Sequence, residues 1–312
     1  MNNKVKGYLL GAVAAASYGT NPLFALPLYA EGFSPDSVLF FRYLFALPIL
    51  AFMLKWRGHS FRITRADLVP LVILGLIFAL SSLSLFQSYN YMDAGIASTI
   101  LFVYPIMVAV IMAMFFHEKL TTQTMLCLLM AIGGIGLLYQ NEDGATLSFV
   151  GTMIVFLSSL SYAIYIVAIN KTRLHDMVTL KVTFYVVLFG WFLFAGRTLI
   201  SGELQVPQSN DWWLWGNLIA LAVMPTAISL LCTTGAIQYI GSTPTAILGA
   251  LEPVTAVFFG VTIFGEQLTM RSIIGLILII VAVTIVVAGG GITKHLVRFR
   301  KLFPRIIKKV KK

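Results

Sequence analysis

Charged side chains are scarce in this sequence. Only 11% of its 312 residues are Asp, Glu, Lys or Arg, whereas a soluble domain carries about 25%. Hydrophobic residues make up 59% and form long blocks, which excludes an ordinary soluble domain and favours a polytopic membrane protein. The segments between the blocks are short, so they leave no room for a soluble ATPase or catalytic domain.

Paired cysteines and clustered histidines are also missing. The two cysteines, Cys127 and Cys232, lie inside apolar blocks, where neither a disulfide nor a zinc site is expected. The four histidines are scattered, and His117-Glu118 is followed by Thr121 where a zinc motif needs a second His. No Gly-x-x-x-x-Gly-Lys-Ser/Thr loop for phosphate binding occurs. We therefore expect no cofactor, no metal ion and no ATP hydrolysis.

The apolar blocks predict an all-α polytopic membrane protein. A transmembrane β-barrel would need alternating strands, whereas the run 273–288 is apolar on every face. At about 20 residues per helix, the blocks define ten transmembrane helices. Their approximate ranges are 7–28, 36–54, 68–90, 94–116, 122–140, 147–169, 179–200, 213–238, 242–264 and 268–290. No small-x-small cleavage site follows the first block, so we expect a retained helix.

Lysine and arginine orient these spans. If the N-terminus is cytoplasmic, 19 of the 22 Lys and Arg residues fall in inner segments, many of them in the tail 291–312. This bias predicts a cell-membrane protein with both termini in the cytoplasm. The net charge of +10 comes mostly from the tail, so it implies no nucleic-acid partner. The tail alternates basic and apolar residues, and it either lies on the anionic inner leaflet or serves only as a topological signal.

The two halves of the chain resemble each other. An offset of 148 residues pairs Ser81 with Ser229, Tyr91 with Tyr239, Pro105 with Pro253 and Glu118 with Glu266. An offset of 144 pairs Gly7 with Gly151 and Ser17-Tyr18 with Ser161-Tyr162. Because each half holds five spans, an odd number, the half 145–290 should be inserted in the opposite direction to the half 1–144. Such inverted repeats are typical of secondary transporters, and a duplicated scaffold without transport is the alternative.

The ends of the two halves are similar to those of a known family. Tyr104-Pro105 precedes His117-Glu118-Lys119-Leu120-Thr121, and Leu251-Glu252-Pro253-Val254 precedes Gly265-Glu266-Gln267-Leu268-Thr269. Both resemble the proline-bearing fourth span of the EamA family, which belongs to the drug/metabolite transporter superfamily. The resemblance covers residues 7–288. It implies a transporter of small metabolites, amino acids or drugs, often directed outward. A central cavity lined by the first, third and fourth spans of each repeat is implied too.

Glu252 is the clearest ionisable residue inside a predicted span. A charge at the bilayer centre costs about 2.5–3.5 kcal/mol on insertion scales, so it needs a reason. Glu252 is either a protonatable carboxylate for proton coupling or amine binding, or a structural partner of backbone groups freed by Pro253. Arg42, near the outer end of the second span, is expected to snorkel outward rather than to face a cavity. Glu118 and Glu266 are expected in turns at helix ends.

Uncharged polar residues form stripes along several spans. Amide groups facing lipid would stay unpaired, so the stripes should face the interior of the bundle. The residues predicted to line a substrate cavity are Tyr18, Asn21, Ser84, Gln87, Tyr162, Tyr165 and Thr233. The equivalent tyrosines Tyr18 and Tyr162 can hold a substrate from both sides. Ser and Thr hydroxyls are alternatively hydrogen-bonded links between helices.

Together these features favour a secondary transporter or exporter of small neutral or zwitterionic solutes, which works by alternating access and is open to proton coupling. An intramembrane lipid-modifying enzyme is one alternative, but it would need clustered Asp, His or metal ligands that the sequence lacks. A membrane sensor or scaffold is the other, and the buried polar stripes argue against it. Gly133-Gly134 and Gly136 allow close helix packing, which is compatible with a homodimer.

Overall fold

The computed structural model describes residues 2–92, 94–117, 122–138 and 148–264, with short helical stretches between 270 and 285, and in this part it contains helices and loops but no strand. In chain order the main helices are α1 (Asn3–Tyr18), α2 (Asn21–Ala30), α3 (Pro35–Trp56), α4 (Arg65–Ser88), α5 (Ala94–Leu101), α6 (Tyr104–Phe116), α7 (Thr122–Leu138), α8 (Phe149–Lys171), α9 (Thr179–Ser201), α10 (Trp212–Ala222), α11 (Ser229–Ile240), α12 (Ser242–Leu248) and α13 (Leu251–Phe264). A 3-10 turn (Arg173–Asp176) follows α8, and a π-helical segment (Val223–Ile228) separates α10 from α11.

The described chain contains seven helical stretches that are long and apolar enough to cross a membrane. They are Asn3–Ala30, Pro35–Trp56, Arg65–Ser88, Phe149–Lys171, Thr179–Ser201, Trp212–Ile240 and Ser242–Ile263. Three shorter apolar helices, Tyr104–Phe116, Met125–Gly134 and Ile273–Ala282, lie where the sequence predicts the fourth, fifth and tenth spans. The all-helical membrane class is thus confirmed, with seven of the ten predicted spans at full length. Glu118, Glu266 and the tail lie outside the described residues.

Polar side chains begin the helices where the chain enters a span. Ser34 Oγ accepts a hydrogen bond from the Ser37 backbone N–H (3.3 Å), and Pro35 follows as the first residue of α3. Ser148 Oγ accepts from the Gly151 N–H at the start of α8 (3.1 Å). Each cap satisfies one of the N–H groups that the first helical turn leaves without an intrahelical partner.

Three of the predicted spans are interrupted near their middle. α1 and α2 are separated by residues 19–20, α5 and α6 by 102–103, and α12 and α13 by 249–250. A proline lies in the first turn of each following helix, namely Pro22, Pro105 and Pro253. Proline fits there because the N–H groups of a first turn have no intrahelical partner. Broken helices inside a membrane are tolerated where protein or a polar cavity satisfies the freed backbone groups.

Glycine contacts join the two halves at equivalent positions. Gly7 in α1 packs on Tyr239 at the end of α11, where an added Cβ would lie 2.8 Å from the Tyr239 Cβ. Its equivalent, Gly151 in α8, packs in the same way on Tyr91 just after α4, at 2.9 Å. The first helix of each half therefore packs against the third span of the other half.

Two serine hydroxyls repeat this relationship. Ser81 Oγ in α4 donates to the Ser158 carbonyl in α8 (3.0 Å), and Ser229 Oγ in α11 donates to the Ala14 carbonyl in α1 (2.9 Å). The donors are equivalent by the offset of 148 residues and the acceptors by the offset of 144. These serines are therefore links between helices, which is one of the two interpretations that the sequence left open.

Helices α4 and α9 cross at a glycine. A Cβ added to Gly75 in α4 would lie 2.7 Å from the Phe189 Cβ and 2.9 Å from the Val186 carbonyl oxygen, both in α9. Gly196, also in α9, offers the opposite case, because an added Cβ there meets no atom within 4 Å. The backbones of α4 and α9 can approach this closely only while residue 75 has no side chain.

Gly75→Ala should lower the thermal unfolding midpoint of the purified protein in detergent. Overpacking costs about 1–3 kcal/mol, which exceeds the gain of roughly 1 kcal/mol that alanine brings to a helix interior. Gly196→Ala is the matched control and should leave the midpoint unchanged or raise it slightly. Equal midpoints for the two variants would contradict the close α4–α9 crossing.

Candidate functional site

A cavity lies beside the breaks in α5/α6 and α12/α13. It contains about 210 Å³ of empty space, and residues from both halves form its wall. These residues are Gly11, Ala14, Ala15, Tyr104, Tyr162, Ile166, Thr233, Thr245, Gly249 and Glu252. They belong to the first and fourth predicted spans of the first half and to the first, third and fourth of the second. This volume includes space open to the surroundings, and only about 10 Å³ of it can hold the centre of a water-sized sphere, which is roughly the room of one water molecule. The cavity is therefore nearly closed in this conformation.

A cluster of aromatic rings is centred on Tyr162. The Tyr18 and Tyr162 rings are stacked, with centroids 5.9 Å apart and planes inclined by 9°. On α8 itself the Tyr165 ring stacks with Tyr162 at 6.1 Å, and Phe78 lies 5.0 Å from Tyr165. Tyr104 meets Tyr162 edge-on at 4.7 Å. The two tyrosines predicted to hold a substrate from opposite sides are therefore in direct contact in this conformation.

Glu252 is bound to the residue that occupies its own position in the other half. Tyr104 precedes Glu252 by 148 residues, and its hydroxyl donates a hydrogen bond to Glu252 Oε1 (3.3 Å). Both side chains are buried, with Glu252 only 3% exposed. The two interrupted spans thus meet at the first turns of α6 and α13.

Glycines make room for this contact. A Cβ added to Gly249 would lie 1.5 Å from the Tyr104 hydroxyl oxygen, so any side chain there would displace the hydroxyl. Gly249 has an ordinary helical φ of −55°, so space rather than backbone conformation requires the glycine. Gly19, at the break between α1 and α2, packs in turn on Glu252, whose carbonyl oxygen would lie 2.6 Å from an added Cβ. Two helix breaks are thereby held against each other.

The prediction that the Arg42 side chain snorkels outward is wrong. The side chain is completely buried in α3, and Arg42 Nε donates to Thr226 Oγ1 (2.5 Å) while Nη2 donates to the Pro225 carbonyl (3.2 Å). The guanidinium carbon lies 5.9 Å from the centroid of the Tyr18 ring and 5.2 Å from that of Phe86. The side chain points into the bundle because it forms hydrogen bonds to the π-helical segment Val223–Ile228, although the membrane surface is near.

Of the other predicted residues, one lines the cavity and the rest do not. Thr233 lines its wall. Asn21, the first residue of α2, is 1% exposed, and neither atom of its amide has a hydrogen-bond partner within the described residues. Ser84 is buried in α4, and Gln87 near the end of that helix accepts a hydrogen bond from Asn90 Nδ2 (3.4 Å). Ser84, Gln87 and Asn21 do not line the cavity in this conformation.

Two central residues were not predicted as site residues. Tyr104 carries part of the family resemblance, and the offset of 148 residues identifies it as the equivalent of Glu252. Gly249 has no sequence signal, because its role depends on where the Tyr104 hydroxyl comes to lie. A repeat alignment could therefore have identified the first residue but not the second.

The site offers aromatic faces, hydroxyl groups and one carboxyl group. Such groups bind a solute by stacking and hydrogen bonding, and the carboxyl group can accept a proton. Across the described part of the chain, no three His, Cys, Asp or Glu residues are grouped so that they could hold a metal ion.

A cysteine at Thr233 should report whether the cavity can be reached from water. In a background with Cys127 and Cys232 replaced by alanine, we expect Thr233→Cys to react with a small methanethiosulfonate reagent. Ser81→Cys is the matched control, because that position is enclosed between α4 and α8, and it should react at least about tenfold more slowly, in line with its closed packing. Equal labelling rates would contradict the cavity.

Comparison with known proteins identifies one family and several similar transporters. The EamA-like transporter family matches twice, over residues 5–140 and again over 149–288. A protein of Archaeoglobus fulgidus is 29% identical over 256 residues, covering 80% of this chain and 85% of its own length, and is described as an uncharacterized transporter. The uncharacterized transporter YcbK of Bacillus subtilis is 24% identical over 275 residues, covering 86% and 87% of the two chains.

A solved structure shares the fold. A protein crystal structure superposes on this chain with a TM-score of 0.76, covering 94% of this chain and 99% of its own. Its sequence identity of 16% supports the likeness of fold alone. The family match covers nearly the whole chain in two consecutive copies, which confirms the resemblance seen in the sequence. The protein belongs to the EamA-like transporter family of the drug/metabolite transporter superfamily.

Proposed function

We propose that this multi-pass transporter moves a small solute through the central cavity by alternating access. The observation that carries the proposal is the position of the cavity at the equivalent breaks of α5/α6 and α12/α13, where Tyr104 of one half meets Glu252 of the other. Transporters built from repeated halves bind substrate at such broken helices, and rocking of one half against the other exposes the site to each side in turn.

The proposed architecture has ten spans in two oppositely inserted halves, 1–144 and 145–290, with both termini in the cytoplasm. The paired contacts of Gly7 and Gly151 support it, as do the paired hydrogen bonds of Ser81 and Ser229. An inverted repeat brings equivalent surfaces together around a pseudo-two-fold axis, so each contact should occur twice. The positive-inside bias supports the orientation.

Tyr18, Tyr162 and Thr233 are the proposed substrate contacts. Tyr162 and Thr233 line the cavity, and the rings of Tyr18 and Tyr165 both stack on the Tyr162 ring. A flat or apolar group of the solute would replace the Tyr18–Tyr162 stack at small cost, since offset-stacked rings contribute only about 0.5–1.5 kcal/mol beyond their buried area. The solute thereby separates the rings without an expensive rearrangement. Asn21, Ser84 and Gln87 stay predicted contacts for another conformation of the cycle.

Glu252 is the proposed proton carrier. Among the described residues Tyr104 provides its side-chain hydrogen bond, and no ion pair holds its carboxyl group. A buried carboxyl group of this kind is easier to accommodate in its neutral form than in its charged form. Proton uptake from one side and release to the other would couple solute movement to a pH gradient.

Glu252→Gln should abolish coupling while leaving the cavity intact. Glutamine has the same shape as glutamate, and its side-chain carbonyl can still accept a hydrogen bond from the Tyr104 hydroxyl, but it cannot take up a proton. In proteoliposomes screened with radiolabelled amino acids and small metabolites, we expect pH-driven accumulation to fall at least about tenfold, which corresponds to 1.4 kcal/mol. Exchange of the same solute without a gradient should continue.

Glu203→Gln is the control for this experiment, because Glu203 lies exposed in the loop between α9 and α10. It should leave both accumulation and exchange unchanged. Undiminished pH-driven accumulation by Glu252→Gln would remove Glu252 from the coupling mechanism. Loss of both activities would instead assign Glu252 to solute binding.

The orientation of the halves can be tested separately. Reporter fusions after residue 312, and after residue 144 between the halves, should be active in opposite compartments, with the first in the cytoplasm. The physical reason is that five crossings separate the two points, and an odd number reverses the side. Fusions that report the same compartment would contradict the inverted arrangement.

A further inference from the structure

Arg42 is a buried cation without an acidic partner. Within the described part of the chain, ion pairs at N–O distances up to 4.0 Å join Arg173 to Asp67 and Arg197 to Asp36, and no carboxylate reaches Arg42. A charge inside a membrane protein is normally paired, or else it faces a polar pathway. Arg42 is therefore a buried charge with no carboxylate in direct contact among the described residues.

One end of the guanidinium is fixed and the other is free. Thr226 Oγ1 accepts from Nε and at the same time donates to the Leu221 carbonyl (2.8 Å), so its hydroxyl can act only as acceptor towards Arg42. The Pro225 carbonyl takes one hydrogen from Nη2. Nη1 is buried and has no hydrogen-bond partner among the described residues. The planar fork is thus oriented by the π-helical segment and left with unused donors at one end.

Asn21 provides a second, independent observation. Its side-chain oxygen and nitrogen are both buried and lack partners in the described structure, which is unusual for a buried amide. Asn21 lies three residues after Tyr18, and Tyr18 also contacts the Arg42 guanidinium through its ring. One unsatisfied polar side chain thus contacts Tyr18 and the other follows it closely in the chain, and Tyr18 itself stacks on the cavity residue Tyr162.

We propose that Arg42 and Asn21 form a binding site for the carboxylate group of a transported solute. A carboxylate fits because guanidinium donors match its two oxygens in one plane. The solute carries a single carboxylate, because one guanidinium balances one negative charge. The Arg42 guanidinium lies against the Tyr18 ring, and that ring stacks on the cavity residue Tyr162, so we expect movement of Tyr18 to join the site to the cavity. This inference rests on the proposed transport function and adds the chemical class of the substrate.

The aromatic surroundings suit a site that is empty part of the time. Tyr18 and Phe86 present their rings to the guanidinium, and such cation–π contacts stabilise a cation without neutralising it. A structural carboxylate would occupy Nη1 permanently and leave no place for a ligand. With rings as partners, the charge is tolerated while its last donors stay available.

The test is ligand-dependent thermal stability of the purified full-length protein. The probes are benzoate, lactate, L-leucine and L-phenylalanine, each compared with its primary amide at the same ionic strength. At least one carboxylate should raise the unfolding midpoint in a saturable manner, and its amide should need at least a tenfold higher concentration. No stabilisation by any of the carboxylates, or equal stabilisation by acid and amide, overturns the proposal.

Variants of Arg42 identify the site. Arg42→Gln should weaken carboxylate binding at least tenfold, and Arg42→Lys should weaken it less, because lysine keeps the charge but lacks the planar fork. Arg197→Gln is the matched control, since Arg197 is exposed and paired with Asp36, and it should bind like the wild type. Wild-type affinity in Arg42→Gln, or the same stabilisation by chloride alone, contradicts a carboxylate site.

A purely structural role for Arg42 predicts a different readout. Removing a structural tie would lower the midpoint of the ligand-free protein, whereas removing an unpaired buried charge should leave it equal or higher. If Arg42→Gln fails to fold, that result counts against the site, and Arg42→Lys with the acid–amide comparison decides whether binding uses this residue.

Flux measurements separate this proposal from the transport function itself. If acids and amides are transported at equal rates and Arg42→Lys does not change those rates, the transport function is supported and the carboxylate site is ruled out. Binding of a carboxylate that depends on Arg42, without any flux in proteoliposomes, leaves the site standing and removes the transport proposal.

Discussion

Polar groups inside a bilayer have no water to bind, and the centre of this protein is built around that constraint. Each interrupted fourth span frees backbone groups and brings one polar side chain to the first turn of the next helix. Tyr104 and Glu252 occupy these two equivalent places and satisfy each other across the halves. The cavity, the aromatic cluster and the position of the first span all follow from where these two turns meet.

Glycines and tyrosines have different roles around the contact between Tyr104 and Glu252. Gly249 and Gly19 let the backbone approach side chains and carbonyl groups that any Cβ would push away. The tyrosines fill the space that the breaks leave, and their hydroxyls bring polarity without the cost of charge. The result is a well-packed interior that keeps a small cavity beside a carboxyl group. Tyr104 takes part in both kinds of contact, because its hydroxyl lies against Gly249 and its ring meets Tyr162.

The sequence predicted much of this arrangement, for physical reasons that can be named. Glu252 is conspicuous in the sequence because a charge in an apolar block is energetically costly. The offset of 144 residues pairs Tyr18 with Tyr162, whose rings are in contact. Arg42 was placed wrongly, because its burial depends on the π-helical segment, which a sequence pattern does not reveal. The breaks in the spans were also not predicted. A proline in an apolar run predicts a bend as well as an interruption, and only the contacts of Gly249 and Gly19 decide between them.

One difference between the halves has an energetic consequence. The first span is broken at Gly19-Thr20, whereas α8, its equivalent, runs without interruption through Ala163-Ile164. Ideal two-fold symmetry would make the inward-facing and outward-facing conformations equal in free energy. In the proposed alternating-access cycle, the break in one half alone makes the exchange of conformations between the halves unequal, so the two end states would differ in free energy.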